Sequence, residues 1–148
     1  MNANTFLGRG MKFPPQVNPA TGRFVISESL QSIKESIYLI LMTQKTERLM
    51  RPDFGSRAST YLFEETDLSM LNLMASELEY DIISNEPRVE NVTVDMDYTR
   101  KPGCLFVDIT YTVREENVTE NMVFPFYLGE QVKEEETEYE TVEDDFVE

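Results

Sequence analysis

The stretch Glu86-Pro87-Arg88-Val89-Glu90-Asn91-Val92-Thr93-Val94-Asp95-Met96-Asp97-Tyr98 marks the point where the chain changes from one regular structure to another. Before it, Leu68, Leu71, Met74, Ala75, Leu78 and Ile82 recur at three- and four-residue spacing, the apolar stripe of a helix starting near Thr66 or Asp67. Pro87 ends that helix, because its ring pushes the preceding residue out of the helical region. Beyond it the period drops to two. Val92, Val94, Met96 and Tyr98 alternate with polar residues, and so do Leu105, Val107, Ile109, Tyr111 and Val113, giving two half-buried strands joined by the turn Lys101-Pro102-Gly103. A third run, Met122 to Leu128, follows the polar connection Glu115 to Asn121. Pro125 has no N–H to give a ladder, which assigns that strand to a sheet edge.

Working back toward the N-terminus, Leu30, Ile33, Ile37, Ile40 and Leu41 form a second helical stripe. Ser27 is the predicted cap, with Glu28 where the helix dipole favours an acid. This helix is expected to run to about Leu49, closed by Arg51 and Pro52. Phe54-Gly55 then turns into a loop carrying Tyr61, Leu62 and Phe63. Phe24 to Ile26 reads as a short strand, and Phe6 to Arg23, punctuated by three glycines and three prolines, as an irregular arm. The predicted architecture is α+β, with two amphipathic helices on one face of a three- to four-stranded antiparallel sheet.

Length and composition bound the rest. At 148 residues the chain fits one domain, able to bury roughly two thirds of its unfolded surface. Leu, Ile, Val and Phe together make 40 residues, enough for a core. The net charge of -15 leaves no basic footprint for nucleic acid. Its longest apolar run, Ile37 to Met42, falls far short of the roughly 20 residues that span a bilayer. Met1 to Lys12 lacks a signal-peptide core, and a soluble cytoplasmic product is expected. One cysteine, Cys104, and no histidine leave neither a disulfide framework nor the usual metal ligands and general base. No cofactor, metal or enzymatic activity is therefore expected. Residues Gly129 to Glu148 hold ten acids and one lysine, so the chain divides into a body, 1–128, and an acidic extension, 129–148. Such a like-charge block reads first as a solvated tail, and Val142, Phe146 and Val147, which punctuate it, carry the alternative of a partner with a basic groove.

An enzymatic reading must rest on carboxylates. Glu64-Glu65 or Glu86 would supply the acid and base of a glycosidase, without a tryptophan platform or a cleft signal to support them. Asp95 and Asp97 share a strand face but lie outside any calcium-loop pattern. The corner Glu86-Pro87-Arg88 has two readings of equal weight: an arginine fork gripping a partner carboxylate, or an internal ion pair closing the helix end. Glu47-Arg48, with Arg51 close behind, poses the same choice. Neighbours at consecutive positions point apart, so these two are expected to serve different partners.

The order of motifs Gly10-Met11-Lys12-Phe13-Pro14, then Thr43-Gln44-Lys45-Thr46-Glu47-Arg48-Leu49-Met50-Arg51-Pro52-Asp53-Phe54-Gly55, then Glu86-Pro87-Arg88 and a strand meander resembles the baseplate wedge family of contractile tails. That family takes in the lysozyme-like baseplate wedge protein of phages and the type VI secretion component TssE. The similarity runs from about Phe6 to Leu128. Thr46 departs from it, standing where the family usually has glycine. The resemblance implies a structural subunit in each of six wedges, in contact with the larger wedge proteins and the first tail sheath ring, with the central hub or spike as a further neighbour. It implies a place in a virion tail baseplate assembled in the host cytoplasm, or in a cellular injection system. Glu86, Pro87 and Arg88 take the family's wedge-docking role, with Glu47 and Arg48 beside them. The edge strand, Met122, Val123, Phe124, Phe126 and Tyr127, is the expected template for a sheath strand. A peptidoglycan-degrading, lysozyme-like glycosidase is the alternative.

Overall fold

The computed structural model describes residues 8–61 and 67–127. Leu62, Phe63, the Glu64-Glu65 pair, Leu128 and the acidic extension lie outside them, as does the division proposed at residue 128.

The elements run β1 (Arg9–Met11), β2 (Ile26–Glu28), α1 (Ser29–Met42), α2 (Ala58–Tyr61), α3 (Leu68–Asn85), β3 (Val89–Lys101), β4 (Cys104–Val113) and β5 (Val118–Tyr127). The expected α+β class holds. β3, β4 and β5 make an antiparallel meander, and β1 pairs with β2 in a separate two-stranded ribbon. Ile33, Ile37, Ile40 and Leu41 of α1 and Leu71, Met74, Leu78 and Ile82 of α3 meet Val92, Val94, Val107, Ile109, Tyr111, Val113, Phe124 and Phe126 of the sheet in one core. Each large aliphatic side chain buried there contributes on the order of 2 kcal/mol. The sheet's other face is mixed, with Phe106, Val123 and Tyr127 among polar residues. There Asn121 Nδ2 donates to Thr110 Oγ1 at 3.2 Å, and Arg100 bridges Asp97 and Asp108.

α3 starts and stops as predicted. The Asp67 side chain caps it by accepting from Met70 N at 2.7 Å, and Glu86 is the C-cap, its N–H donating to Ile82 O at 2.8 Å. Leu68, counted on the apolar stripe, is instead exposed, because the first turn extends past the core.

Four boundaries differ from expectation. α1 ends at Met42, seven residues before Leu49, because Thr43 adopts extended backbone and the chain beyond it bonds to itself in a loop. Ser27 is buried and does not cap; Glu28 holds the cap position without a side-chain bond and pairs with Arg9 at 3.0 Å. The arm is less irregular than predicted, since Arg9–Met11 finds strand partners in Ile26–Glu28, the strand itself lying two residues beyond Phe24 to Ile26. β5 begins at Val118 inside the predicted polar connection. Its outward residues Thr119 and Asn121 face solvent, and its inward Glu120 pairs with Lys34 of α1 at 2.9 Å, so the apolar alternation is masked there.

Candidate functional site: a proline corner, a knotted loop and a free sheet edge

The corner is closed upon itself. Arg88 Nε donates to Glu86 Oε1 at 2.7 Å and Nη2 to Oε2 at 2.8 Å, while the Arg88 N–H reaches Oε1 at 3.2 Å. Pro87 between them is exposed. Glu86 does not project; it is 3% exposed and packs toward α1, where Arg88 Nη1 also meets Ser32 Oγ at 3.4 Å. Burial by itself would raise the Glu86 carboxyl, but hydrogen bonds from Arg88 and Ser36 and the Arg88 charge hold it below the usual glutamate range. The same bond to Glu86 raises Arg88 above its ordinary value. The internal ion pair is thus present, and the Arg88 side chain keeps 27% of its surface in solvent.

The motif Thr43 to Gly55 is a loop rather than the end of a helix. Ser56 N–H donates to Thr43 O at 2.8 Å, Lys45 N–H to Ser56 O at 3.1 Å and Thr46 N–H to Pro52 O at 2.8 Å. Gly55, at φ +111°, passes over Thr43 so closely that a Cβ would strike the Thr43 carbonyl. Thr46 sits at φ +74°, a region where a β-branched residue is strained; this is the position expected to hold glycine in the family. Glu47 Oε2 accepts from Gln44 N at 3.0 Å, whereas the Arg48 guanidinium lies 4.5 Å from the centre of the Phe54 ring. The two neighbours point to different contacts, as expected. Lys45 Nζ pairs with Asp81 of α3, anchoring the loop to the body.

The sheet has two edges of unlike character. On β3, the Val94 N–H that faces away from β4 donates to Glu79 Oε1 of α3 at 2.9 Å. β5 pairs with β4 through ten registered positions from Cys104↔Tyr127 to Val113↔Val118, and no described residue pairs with its far side. Of the predicted edge residues, Phe124 and Phe126 are buried and Met122 half-buried toward the core, whereas Val123 and Tyr127 are exposed. The buried members can therefore give a partner strand only their backbone. Beside this edge lies a groove of about 510 Å³ lined by Tyr38, Met42, Met122, Phe124, Phe126 and Tyr127. Three of its rings pack in series, Tyr38 to Phe124 at 5.3 Å and Phe124 to Phe126 at 4.6 Å. Glu79 and Tyr38 were not singled out from sequence. A glutamate on an exposed helix turn carries no sign that it takes up a strand N–H, and Tyr38 reads as ordinary core.

This arrangement of helices, loop and meander matches known proteins. The family described as Baseplate wedge protein gp25 matches residues 27–118, well over half the chain. The chain belongs to the baseplate wedge protein gp25 family. It is 32% identical over 87 residues to Baseplate wedge protein gp25 of Enterobacteria phage T4, a match covering 59% of this chain and 66%, just under two thirds, of the phage protein. A crystal structure of a proposed tail lysozyme from Geobacter sulfurreducens is 38% identical with a TM-score of 0.66, covering 74% of this chain and 99% of that one. The fold also matches a chain of the anti-feeding prophage baseplate, at TM-score 0.57 and 21% identity, covering 88% of this chain and 92% of that one. A chain of the type VI secretion baseplate complex matches at TM-score 0.55 and 15% identity, covering 67% and 93%. The gp25-family match spans α1, the loop, the corner and β4, and stops as β5 begins. No helix among the described residues is long and apolar enough to cross a membrane.

Proposed function

We propose that this gp25-family chain is a structural subunit of a contractile-tail baseplate wedge, without enzymatic activity, that joins larger wedge proteins and presents the β5 edge to a strand of the tail sheath. The observation that carries this reading is the asymmetry of the sheet. On one rim Glu79 occupies the Val94 N–H, while the other, beside an aromatic groove, has its backbone unpaired among the described residues. Strand addition supplies affinity through main-chain hydrogen bonds, and pockets for alternate side chains fix register. The corner of Glu86, Pro87 and Arg88 docks on the wedge core through exposed Pro87 and the solvent-facing side of Arg88, with Glu86 holding the guanidinium in place. Glu47 and Arg48 make a neighbouring contact. In this reading six copies sit around the tail, near the hub or spike, in a virion baseplate assembled in the host cytoplasm or in a cellular injection machine.

Charges on an exposed strand rim block pairing with little effect on the fold. A Val123→Lys/Tyr127→Lys chain should melt as the parent does and enter baseplates, yet these should lack sheath. Sheathed tails of normal length from that chain would sink the strand-addition reading.

The name given to the Geobacter relative favours a second reading, a lysozyme-like glycosidase. A general acid in such chemistry needs a raised carboxyl pKa, and Glu86 is shifted the other way. Wall digestion by the purified protein, lost on Glu86→Gln, would restore the enzymatic reading.

A further inference from the structure

We propose that the tip of the 43–56 loop is a plug, with Leu49 and Met50 entering an apolar socket on a neighbouring baseplate protein whose rim of carboxylates receives Arg48 and Arg51. The proposal rests on the assembly role above and specifies the chemistry of the partner at this end of the molecule.

Leu49 and Met50 are 95% and 94% exposed, two large apolar side chains standing side by side in solvent. Their loop is not loose. Besides the bonds already given, Glu47 N–H donates to Gln44 O at 3.1 Å, Arg51 N–H to Arg48 O at 3.2 Å and Phe54 N–H to Arg51 O at 3.1 Å. A tip held this way, with Thr46 in strained backbone, loses little freedom on docking, which is the condition under which exposed apolar groups give affinity.

The flanking charges select the partner. Arg48 and Arg51 lie 4.5 and 5.7 Å from the centre of the same Phe54 ring, which holds both cations beside the tip. Arg48 has no carboxylate partner among the described residues, and Arg51 only a 4.0 Å approach to exposed Asp53. Residues 45–57 hold four basic side chains against two acidic ones, in a chain whose net charge is -15. A locally basic apolar tip on an acidic protein is complementary to an acidic-rimmed pocket. The overall negative charge opposes a surface of anionic lipid.

The test places photoreactive p-benzoylphenylalanine at position 49 of the full chain, in tails assembled in the cell that carries the gene, and maps the adduct by mass spectrometry. The expected result is an adduct on another baseplate protein, at an apolar segment bearing Asp or Glu, reduced at least tenfold by Arg48→Glu/Arg51→Glu. An adduct on a second copy of this chain, on a segment without acids, or one indifferent to charge reversal overturns the proposal. So does binding of the purified chain to phosphatidylglycerol vesicles that Leu49→Ser/Met50→Ser abolishes. The same probe at Val123 separates the readings. Adducts at 123 with none at 49 overturn the socket alone, and none at either position overturns the assembly role as well.

Discussion

Arg88 folds back on Glu86 two residues before it, both Glu86 oxygens taken up at 2.7 and 2.8 Å, around a proline that leaves the backbone no room to open the pair. Glu86 is nearly buried and Arg88 is not, so the two residues are unequal partners. Removing Arg88 strands a buried carboxylate. Removing Glu86 leaves a partly exposed cation that still reaches Ser32.

Arg88→Ala should therefore destabilise the fold by about 3 kcal/mol, and the apolar pair Glu86→Met/Arg88→Met should recover most of that loss. Denaturant titration of the single and double variants checks it. A loss under about 0.5 kcal/mol for Arg88→Ala would mean the pair is mostly solvated. Arg88→Ala is accordingly a poor test of docking, and Arg88→Lys, which keeps the charge and loses the fork, is the better one. The pH sign follows from the lowered Glu86 carboxyl: its contribution is present above the ordinary glutamate value of 4.5 and is lost as pH falls through the depressed folded value. In Arg88→Ala the guanidinium is gone and only the Ser36 and backbone hydrogen bonds still oppose burial, so this acid-side loss should shrink.

Asp81 behaves in the opposite sense. It is 2% exposed, and burial raises its carboxyl above 3.8 even though Lys45 bonds to it and lowers it. A raised group contributes stability that is full below 3.8 and fades as pH rises through the folded value. Lys45→Ala removes the offsetting charge, so it should cost about 3 kcal/mol at neutral pH and distinctly less near pH 4. Equal losses at the two pH values in thermal melts would contradict this account.

Thr46→Gly should stabilise the protein by about 0.5 to 1 kcal/mol. Relief of the left-handed strain is worth about 1 to 2 kcal/mol, and the extra freedom of glycine in the unfolded chain takes back part of it. Gly55→Ala is the contrasting variant, losing about 3 kcal/mol or more because its Cβ meets the Thr43 carbonyl at φ +111°. Chemical denaturation of both checks the pair, and a destabilised Thr46→Gly would show that the threonine side chain has a contact worth more than its strain.

Tyr111 is fully buried, and its hydroxyl has no hydrogen-bond partner among the described residues. Burial, helped by the charges of Glu120 and Glu86, pushes its phenol up to about 12. Tyr111→Phe should be neutral or stabilising by up to about 1 kcal/mol, since it removes an unsatisfied polar atom. The folded phenol stays protonated where an unfolded one ionises. The parent should lose stability as pH rises from 10 toward 12, and Tyr111→Phe should lose less over that range.

Legibility followed the core. α3 with its Asp67 cap, the meander and the edge position of β5 were readable because apolar burial imposes a period of 3.6 or 2 on the residues that supply it. The first half of the loop, Thr43 to Leu49, reads as helix because Glu47, Arg48 and Leu49 are good helix formers. What overrides them is the long-range tie between Thr43 and Ser56, which local propensity does not encode. The start of β5 was hidden for a related reason: Glu120 occupies a core-side position and is tolerated there only because Lys34 of α1 reaches it.

At the corner, the motif named Glu86, Pro87 and Arg88 but left open whether the charges face outward or each other. By itself the sequence determined an α+β body of the gp25 family, the span of its long helix α3 and the order of the meander strands. The tertiary structure alone decided that Glu86 is buried, that Glu79 occupies the Val94 N–H on one rim while the β5 rim stays unpaired among the described residues, and that Leu49 and Met50 stand in solvent. Those outcomes depend on groups far apart along the chain meeting at particular distances, and a periodic pattern records only which side of an element is apolar, not what arrives opposite it.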